Sequence, residues 1–163
     1  QALELRQRLL GQDHPDVATS LNNLALLYDS QGRYSEAEPL YLQALELRQR
    51  LLGQDHPDVA TSLNNLAVLY VSQGRYSEAE PLLVQALELY QRLLGQEHPN
   101  VATSLNNLGA FYVERKRFND AGPLLVKALE MRERLLGAEH PDTVRTRQWL
   151  ERLQAEMDSE EHS

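Results

Sequence analysis

The chain contains no cysteine. Disulfides, thiolate nucleophiles and cysteine-ligated zinc are therefore excluded, and redox compartment is left open. Aromatic residues make up only 6%, with a single tryptophan, Trp149. Basic residues are outnumbered, 16 Lys and Arg against 24 Asp and Glu, for a formal net charge of −8. General affinity for nucleic acid or anionic lipid needs clustered cations that displace counterions, so neither is an expected partner. No apolar run is long enough to cross a bilayer, and no signal-peptide pattern opens the sequence. A membrane role is not expected, and cytoplasmic residence is the default. Glycine-rich phosphate loops are missing, and nothing alternates with the period of two that marks a strand.

What the chain has instead is repetition. The string QDHPDVATSLNNLA begins at Gln12, recurs at Gln54, and returns at Gln96 as QEHPNVATSLNNLG, a spacing of 42 residues. A divergent copy, AEHPDTV, opens at Ala138. A fixed period of this size predicts a solenoid whose units bury their apolar faces only against neighbours. Within the first unit, Pro15 suits the first turn of a helix, and Asp16 puts negative charge at the positive end of its dipole. Val17, Leu21, Leu24 and Tyr28 recur at steps of three and four, an amphipathic stripe that Gly32 ends. This is helix A. Ser35 and Glu38 have capping-box spacing and open helix B. Its apolar face is Ala37, Leu40, Tyr41, Ala44, Leu45, Leu51 and Leu52, and Gly53 stops it. Connections of a few residues make the two helices antiparallel.

The expected segments are a truncated second half of a helix B at 1–10, repeats at 11–52, 53–94 and 95–136, a terminal capping helix at 137–157 and a disordered acidic tail at 158–163. Residues 1–10 are identical to 43–52, which reads as a piece of a longer array. The third unit departs from the others. Lys116 replaces the glycine that ends helix A, predicting a looser or differently shaped turn. Asn119 replaces the capping serine, and Gly122 the box glutamate. Glu151 and Gln154 stand in the last helix where Ala25 and Tyr28 stand in the first, giving the polar outer face that terminal units need.

The pattern N-N-L-A-x-x-Y, G-x-Y-x-x-A, A-L-E-L resembles the tetratricopeptide repeat, carried in the first unit by Asn23, Leu24, Ala25, Tyr28, Gly32, Tyr34, Ala37, Ala44 and Leu45. The usual unit has about 34 residues. The longer form here, with LG-x-x-HP-x-VA and LNNLA, is similar to the repeats of kinesin light chain and of bacterial kinesin light chain-like arrays. The resemblance implies an all-α, right-handed superhelical solenoid of antiparallel helix pairs. It also implies a concave groove, lined by the A helices, that binds a protein or peptide ligand.

Thr19, Asn22, Leu26, Asp29 and Ser30 lie roughly opposite the stripe assigned to the core. If A helices line the groove, this side faces the ligand. Asn22, Asn64 and Asn106 then form a ladder, followed by Leu26, Val68 and Ala110, and by Asp29, Val71 and Val113. An amide both donates and accepts, so it can pair with a peptide backbone, while Leu, Val and Ala supply an apolar floor. A second ladder, Asn23, Asn65 and Asn107, runs beside the first, and one of the two is expected to bond neighbouring helices. By the same resemblance, a basic residue near the end of helix B would hold acidic peptides. The matching positions are Arg48, Tyr90 and Arg132, with the tyrosine interrupting the column. Arg145 and Gln148 occupy groove-equivalent positions in the last helix.

Catalysis is not expected. His14, His56, His98 and His140 occur once per repeat, about 10 Å or more apart by helix-packing distances, whereas zinc ligands must converge within ~2 Å of one ion. Each histidine is expected at a helix start, touching backbone. Ser20, His14 and Asp16 lack the strained nucleophile turn of a hydrolase. No metal or cofactor is implied. The expected function is a protein-interaction scaffold, and the alternative is a structural array that self-associates head to tail through leucines of the cut helix.

Overall fold

The computed structural model describes Gly11 and residues 13–161. The expected truncated helix, its leucines and the last two residues lie outside the described residues. Seven α-helices and no strand occur among the described residues: α1 (Pro15–Ser30), α2 (Tyr34–Leu52), α3 (Pro57–Ser72), α4 (Tyr76–Leu94), α5 (Pro99–Glu114), α6 (Phe118–Leu136) and α7 (Pro141–Glu161). The fold is an all-α solenoid of helix pairs. It divides into two compact units between Leu89 and Tyr90. In the first, α1 packs on α2, α2 on α3, and α1 also touches α3. In the second, α5, α6 and α7 repeat that arrangement.

Each A helix starts on a histidine. His14, His56 and His98 are extended N-caps, and their Nδ1 atoms accept from the backbone N–H of Asp16, Asp58 and Asn100 at 3.2, 3.1 and 3.1 Å. His140 does the same with Asp142 at 3.2 Å. The imidazole thus satisfies one of the orphan donors of the first turn, and proline at the next position has no N–H to satisfy.

The expected capping box does not form. Helix α2 begins at Tyr34 with Arg33 as its N-cap, so Ser35 lies inside the helix, and Arg117 holds the same place before α6, leaving Asn119 inside. The arginine does different work. Arg33 Cζ lies 4.1 Å above the Tyr28 ring, and its Nε donates to Glu36 Oε2 at 2.6 Å. Arg75 repeats this on Tyr70 and Glu78, and Arg117 on Tyr112 and Asp120. The guanidinium hydrogen bonds hold the Glu36 and Glu78 carboxyls below the usual carboxylate range. Stacking on the ring ties the end of helix A to the start of helix B. Glu38 reaches the next pair instead of a cap, accepting from Arg75 at 2.8 Å and from the Tyr70 hydroxyl at 3.2 Å.

Lys116 does not reshape its turn. It adopts φ +56°, beside +72° for Gly32, and the closing bonds match. Lys116 N–H donates to Val113 O at 2.9 Å and Arg117 N–H to Tyr112 O at 2.8 Å, as Gly32 and Arg33 do at 2.9 Å each. The left-handed conformation burdens a residue with a Cβ by roughly 1–2 kcal/mol, offset in part by the greater entropy glycine loses on folding. Lys116→Gly is therefore expected to stabilise the second unit by about 0.5–1 kcal/mol, read as a higher urea midpoint by Trp149 fluorescence.

The last helix does not stop near Met157 but continues through the expected disordered tail to Glu161. Contacts one turn apart support it: Arg152 with Glu156 at 2.8 Å, Gln154 with Asp158 at 2.7 Å, and Ser159 Oγ with Glu156 O at 2.7 Å. Lys116 pairs with Glu160 at 3.4 Å.

Candidate functional site

The buried stripe of α1 is Val17, Ala18, Leu21, Asn22 and Ala25, while Leu24 and Tyr28 are half-buried. The core stripe is thus rotated toward α3, and it takes Asn22 with it. Asn22 is only 7% exposed, and its Oδ1 accepts from Asn65 Nδ2 at 2.9 Å. This bond ties the adjacent A helices α1 and α3 together. Asn64 and Asn65 are half-buried and Asn23 is exposed. Beside this bridge, at equivalent positions one turn further along, Leu26 is 53% and Val68 39% exposed. Thr19 and Ser30 on α1 and Ser72 on α3 are exposed around them, while Val71 and Asp29 are half-buried. Burial pushes the Asp29 carboxyl up.

The second unit is built differently. Asn106 is buried, and its Oδ1 accepts from Thr146 Oγ1 at 3.0 Å, because Trp149 stands where Asn65 would supply the amide. Ala110 is half-buried and Val113 fully buried, so Val113 belongs to the interior and not to a groove floor. Arg145 and Gln148 are exposed, and Arg145 lies 3.3 Å from Asp142. Arg152 sits over the Trp149 ring, 5.1 Å from its centroid, and pairs with Glu156.

The arginines expected to meet acidic ligands are pins inside the stack. Arg48 is 6% exposed and Arg132 3%. Arg48 NH1 donates to Ser62 Oγ at 2.8 Å and to Asp58 O at 3.1 Å, fastening the end of α2 to the first turns of α3. Arg132 repeats this with Thr146 at 2.7 Å and Asp142 O at 2.9 Å, and adds Thr103 at 3.3 Å. Burial pulls the Arg132 guanidinium below its ordinary range. Tyr90 is also buried, and Ser104, the equivalent of Ser62, has an Oγ with no hydrogen-bond partner. The arginine that should have reached it is missing. Ser62→Ala is thus expected to cost about 1–2 kcal/mol and Ser104→Ala to be neutral or stabilising, in urea titrations followed by circular dichroism.

The sequence reading missed the pins and the Arg33, Arg75 and Arg117 stacks. A signal was present: arginine recurs five residues after each helix-A tyrosine, with an acid three residues later.

Helix pairs of this kind define a class, the α-helical repeat scaffold for protein interaction. The chain belongs to the tetratricopeptide repeat family, whose profiles match residues 1–50, 30–92, 58–121 and 101–142. Similar solved structures are kinesin light chain-like. BtubC (BKLC) from P. vanneervenii is 31% identical over 93% of this chain, with a TM-score of 0.80, and the chain spans 61% of it. A Podospora anserina protein described as a putative kinesin light chain with nearly identical TPR-like repeats is 28% identical, with a TM-score of 0.76, over 98% of this chain and 76% of that one. The Sgt2 TPR domain of Aspergillus fumigatus shares the fold, at 18% identity and a TM-score of 0.64 over 90% of this chain and 82% of its own. No curated protein matches the sequence. No described helix is long and apolar enough to cross a membrane.

Proposed function

We infer that the A-helix face of the first unit holds an extended segment of a protein or peptide partner. One observation carries this reading: Leu26 and Val68, equivalent residues on α1 and α3, are both exposed one turn beyond the Asn22–Asn65 bridge. Folding gains nothing from leaving them in water, whereas a partner's side chains covering them would recover roughly 25 cal/mol per Å² of apolar surface. The amides around them offer hydrogen bonds to a peptide backbone whatever its side chains. The family context supports a peptide or protein as the ligand class.

Within this reading, Leu26, Val68, Thr19, Asn23 and Asn64 carry contact. Asn22 shapes the face from within, and Arg48 fastens α2 to α3, one of the two helices that present it. The test is a peptide-library screen on the wild type, then on Leu26→Glu with Val68→Glu. Both substitutions are exposed and should move stability by no more than about 0.5 kcal/mol each. Affinity is expected to fall at least about tenfold, a loss of about 1.4 kcal/mol. Unchanged affinity would take the site off this face. Light scattering across concentration tests the self-associating alternative, which a constant monomer mass removes.

A further inference from the structure

The residues by which α3 and its closing turn hold the pair α1–α2 have twins on α1. Asn65 Nδ2 donates to Asn22 Oδ1 at 2.9 Å, and the Tyr70 hydroxyl donates to Glu38 Oε1 at 3.2 Å. Arg75 donates to both Glu38 oxygens at 2.8 Å, besides its contacts with Glu78 and Gln73 in its own repeat. Leu69, next to Tyr70, is fully buried where α3 packs against α1 and α2. One repeat earlier the same four places hold Asn23, Tyr28, Arg33 and Leu27.

Those twins are uncovered. Leu27 is 51% exposed, against 0% for Leu69 and 3% for Phe111, its counterpart in the third repeat. Asn23 and Arg33 are exposed, and Tyr28 is half-buried. Arg33 keeps its contacts with Glu36 and Gln31, but among the described residues no second carboxylate reaches it as Glu38 reaches Arg75.

An exposed leucine alone does not say what covers it. Here the repeat itself says so, because one unit later the same side chains are covered by a pair of helices. The donors also state what that pair must bring: an amide oxygen where Asn22 stands and a carboxylate where Glu38 stands. Covering Leu27 removes apolar surface from water, and a carboxylate between Arg33 and Tyr28 makes charge-assisted hydrogen bonds.

We propose that this edge of α1 is a docking surface for a helix pair of the same repeat type carried by a different protein. The pair joins the stack as a strand joins an open sheet edge. A second copy of this chain is the poorer match, since its Asn22 and Glu38 are already bonded to its own Asn65, Tyr70 and Arg75. The surface is distinct from the groove: Leu27 is turned about 100° around the helix from Leu26, and only Asn23 borders both.

The probe is a fluorescein-labelled peptide with the sequence of residues 14–53, which carries Asn22 and Glu38 on an antiparallel helix pair. It is titrated into the intact protein and followed by anisotropy. A second form, cyclised through a cysteine added at each end, removes most of the cost of ordering the two helices. Wild type is expected to bind the cyclised form more tightly than the linear one. Leu27→Lys should weaken binding at least about tenfold, and Glu38→Gln in the peptide about threefold or more. Leu27 is exposed, so the variant is expected to fold, as circular dichroism checks. The groove variant Leu26→Glu with Val68→Glu should bind this peptide as wild type does. No binding of either form overturns the proposal, as does affinity that Leu27→Lys leaves intact. Loss of binding in the groove variant moves the peptide to the groove and overturns it too. A protein mass that doubles with concentration, and reverts in Leu27→Lys, gives the edge to a second copy and rejects a different protein as its occupant.

Discussion

Arg132→Ala is expected to lower the stability of the second unit by about 3 kcal/mol. The guanidinium is almost wholly buried, and it makes three hydrogen bonds, to Thr146, Asp142 O and Thr103. Bonds to a charged donor contribute about 1.5–3 kcal/mol each in favourable cases, against which stands the penalty of burying the charge. Truncation removes the bonds and opens a cavity where the stem lay. Arg132→Met fills that cavity without burying a charge, and its loss should be roughly half as large. Trp149, the single tryptophan, lies in this unit, so its fluorescence in urea reads the effect directly. Near-equal losses for the two substitutions would mean that the hydrogen bonds, not the packing, carry the pin. A loss below about 1 kcal/mol for alanine would mean that the arginine is not a pin at all.

The pins show where sequence reading stops. The 42-residue period made the helix pairs legible, because periodicity is a property of the chain. So did the histidines, which sit before proline at every helix start and could only meet backbone there. The direction of a side chain is another matter. Arg48 and Arg132 look solvent-facing by residue type, and only a partner 14 residues ahead, Ser62 or Thr146, makes them interior. Such a partner is visible in sequence only as a second column with the same period. Tyr90 and the orphaned Ser104 mark the one repeat in which that column is broken. Asn22 was misread for the same reason. A helical wheel finds two stripes, but it cannot tell which of them faces the adjoining helix A. Asn65 settles that by donating its amide N–H to Asn22 Oδ1.

Departures from the repeat are also where this face gains individuality. Positions common to the three full repeats, such as Ala18, Ala60 and Ala102, are buried and serve the stack. Leu26, Val68 and Ala110, or Asp29, Val71 and Val113, vary at equivalent places and differ in exposure. In a stack of near-copies, a ligand can read register only from such differences. The Gly122 exchange fits this logic. It stands where Glu38 bridges to Tyr70 and Arg75, but Gln154 and Ser159 occupy those places in the last helix. A carboxylate would have neither partner there, and a Cβ on Gly122 would lie 3.7 Å from Leu153, in ordinary contact.

The largest expected loss comes from the facing helix pair of the second unit. Leu125 is fully buried, and it packs where Gly109 has no Cβ. A Cβ built on Gly109 would lie 2.7 Å from Leu125 Cγ and 2.8 Å from its Cδ2. Leu125→Ala should therefore cost about 3–4 kcal/mol, from lost transfer energy plus a cavity that α5 and α6 cannot close. Gly109→Ala alone should cost about 1 kcal/mol, since overpacking outweighs the roughly 1 kcal/mol of helix propensity that alanine brings. The double variant is expected to lose only about 2 kcal/mol, less than Leu125→Ala by itself, because the new methyl enters the vacated space. Ala25 and Ala67, which hold this place in the sister repeats, show that a helix A of this type accepts the methyl. A double-mutant cycle in urea measures the coupling. Simple additivity would mean that Leu125 swings aside for the added methyl, as the second repeat, with Leu83 and Ala67 at these two places, already accommodates both.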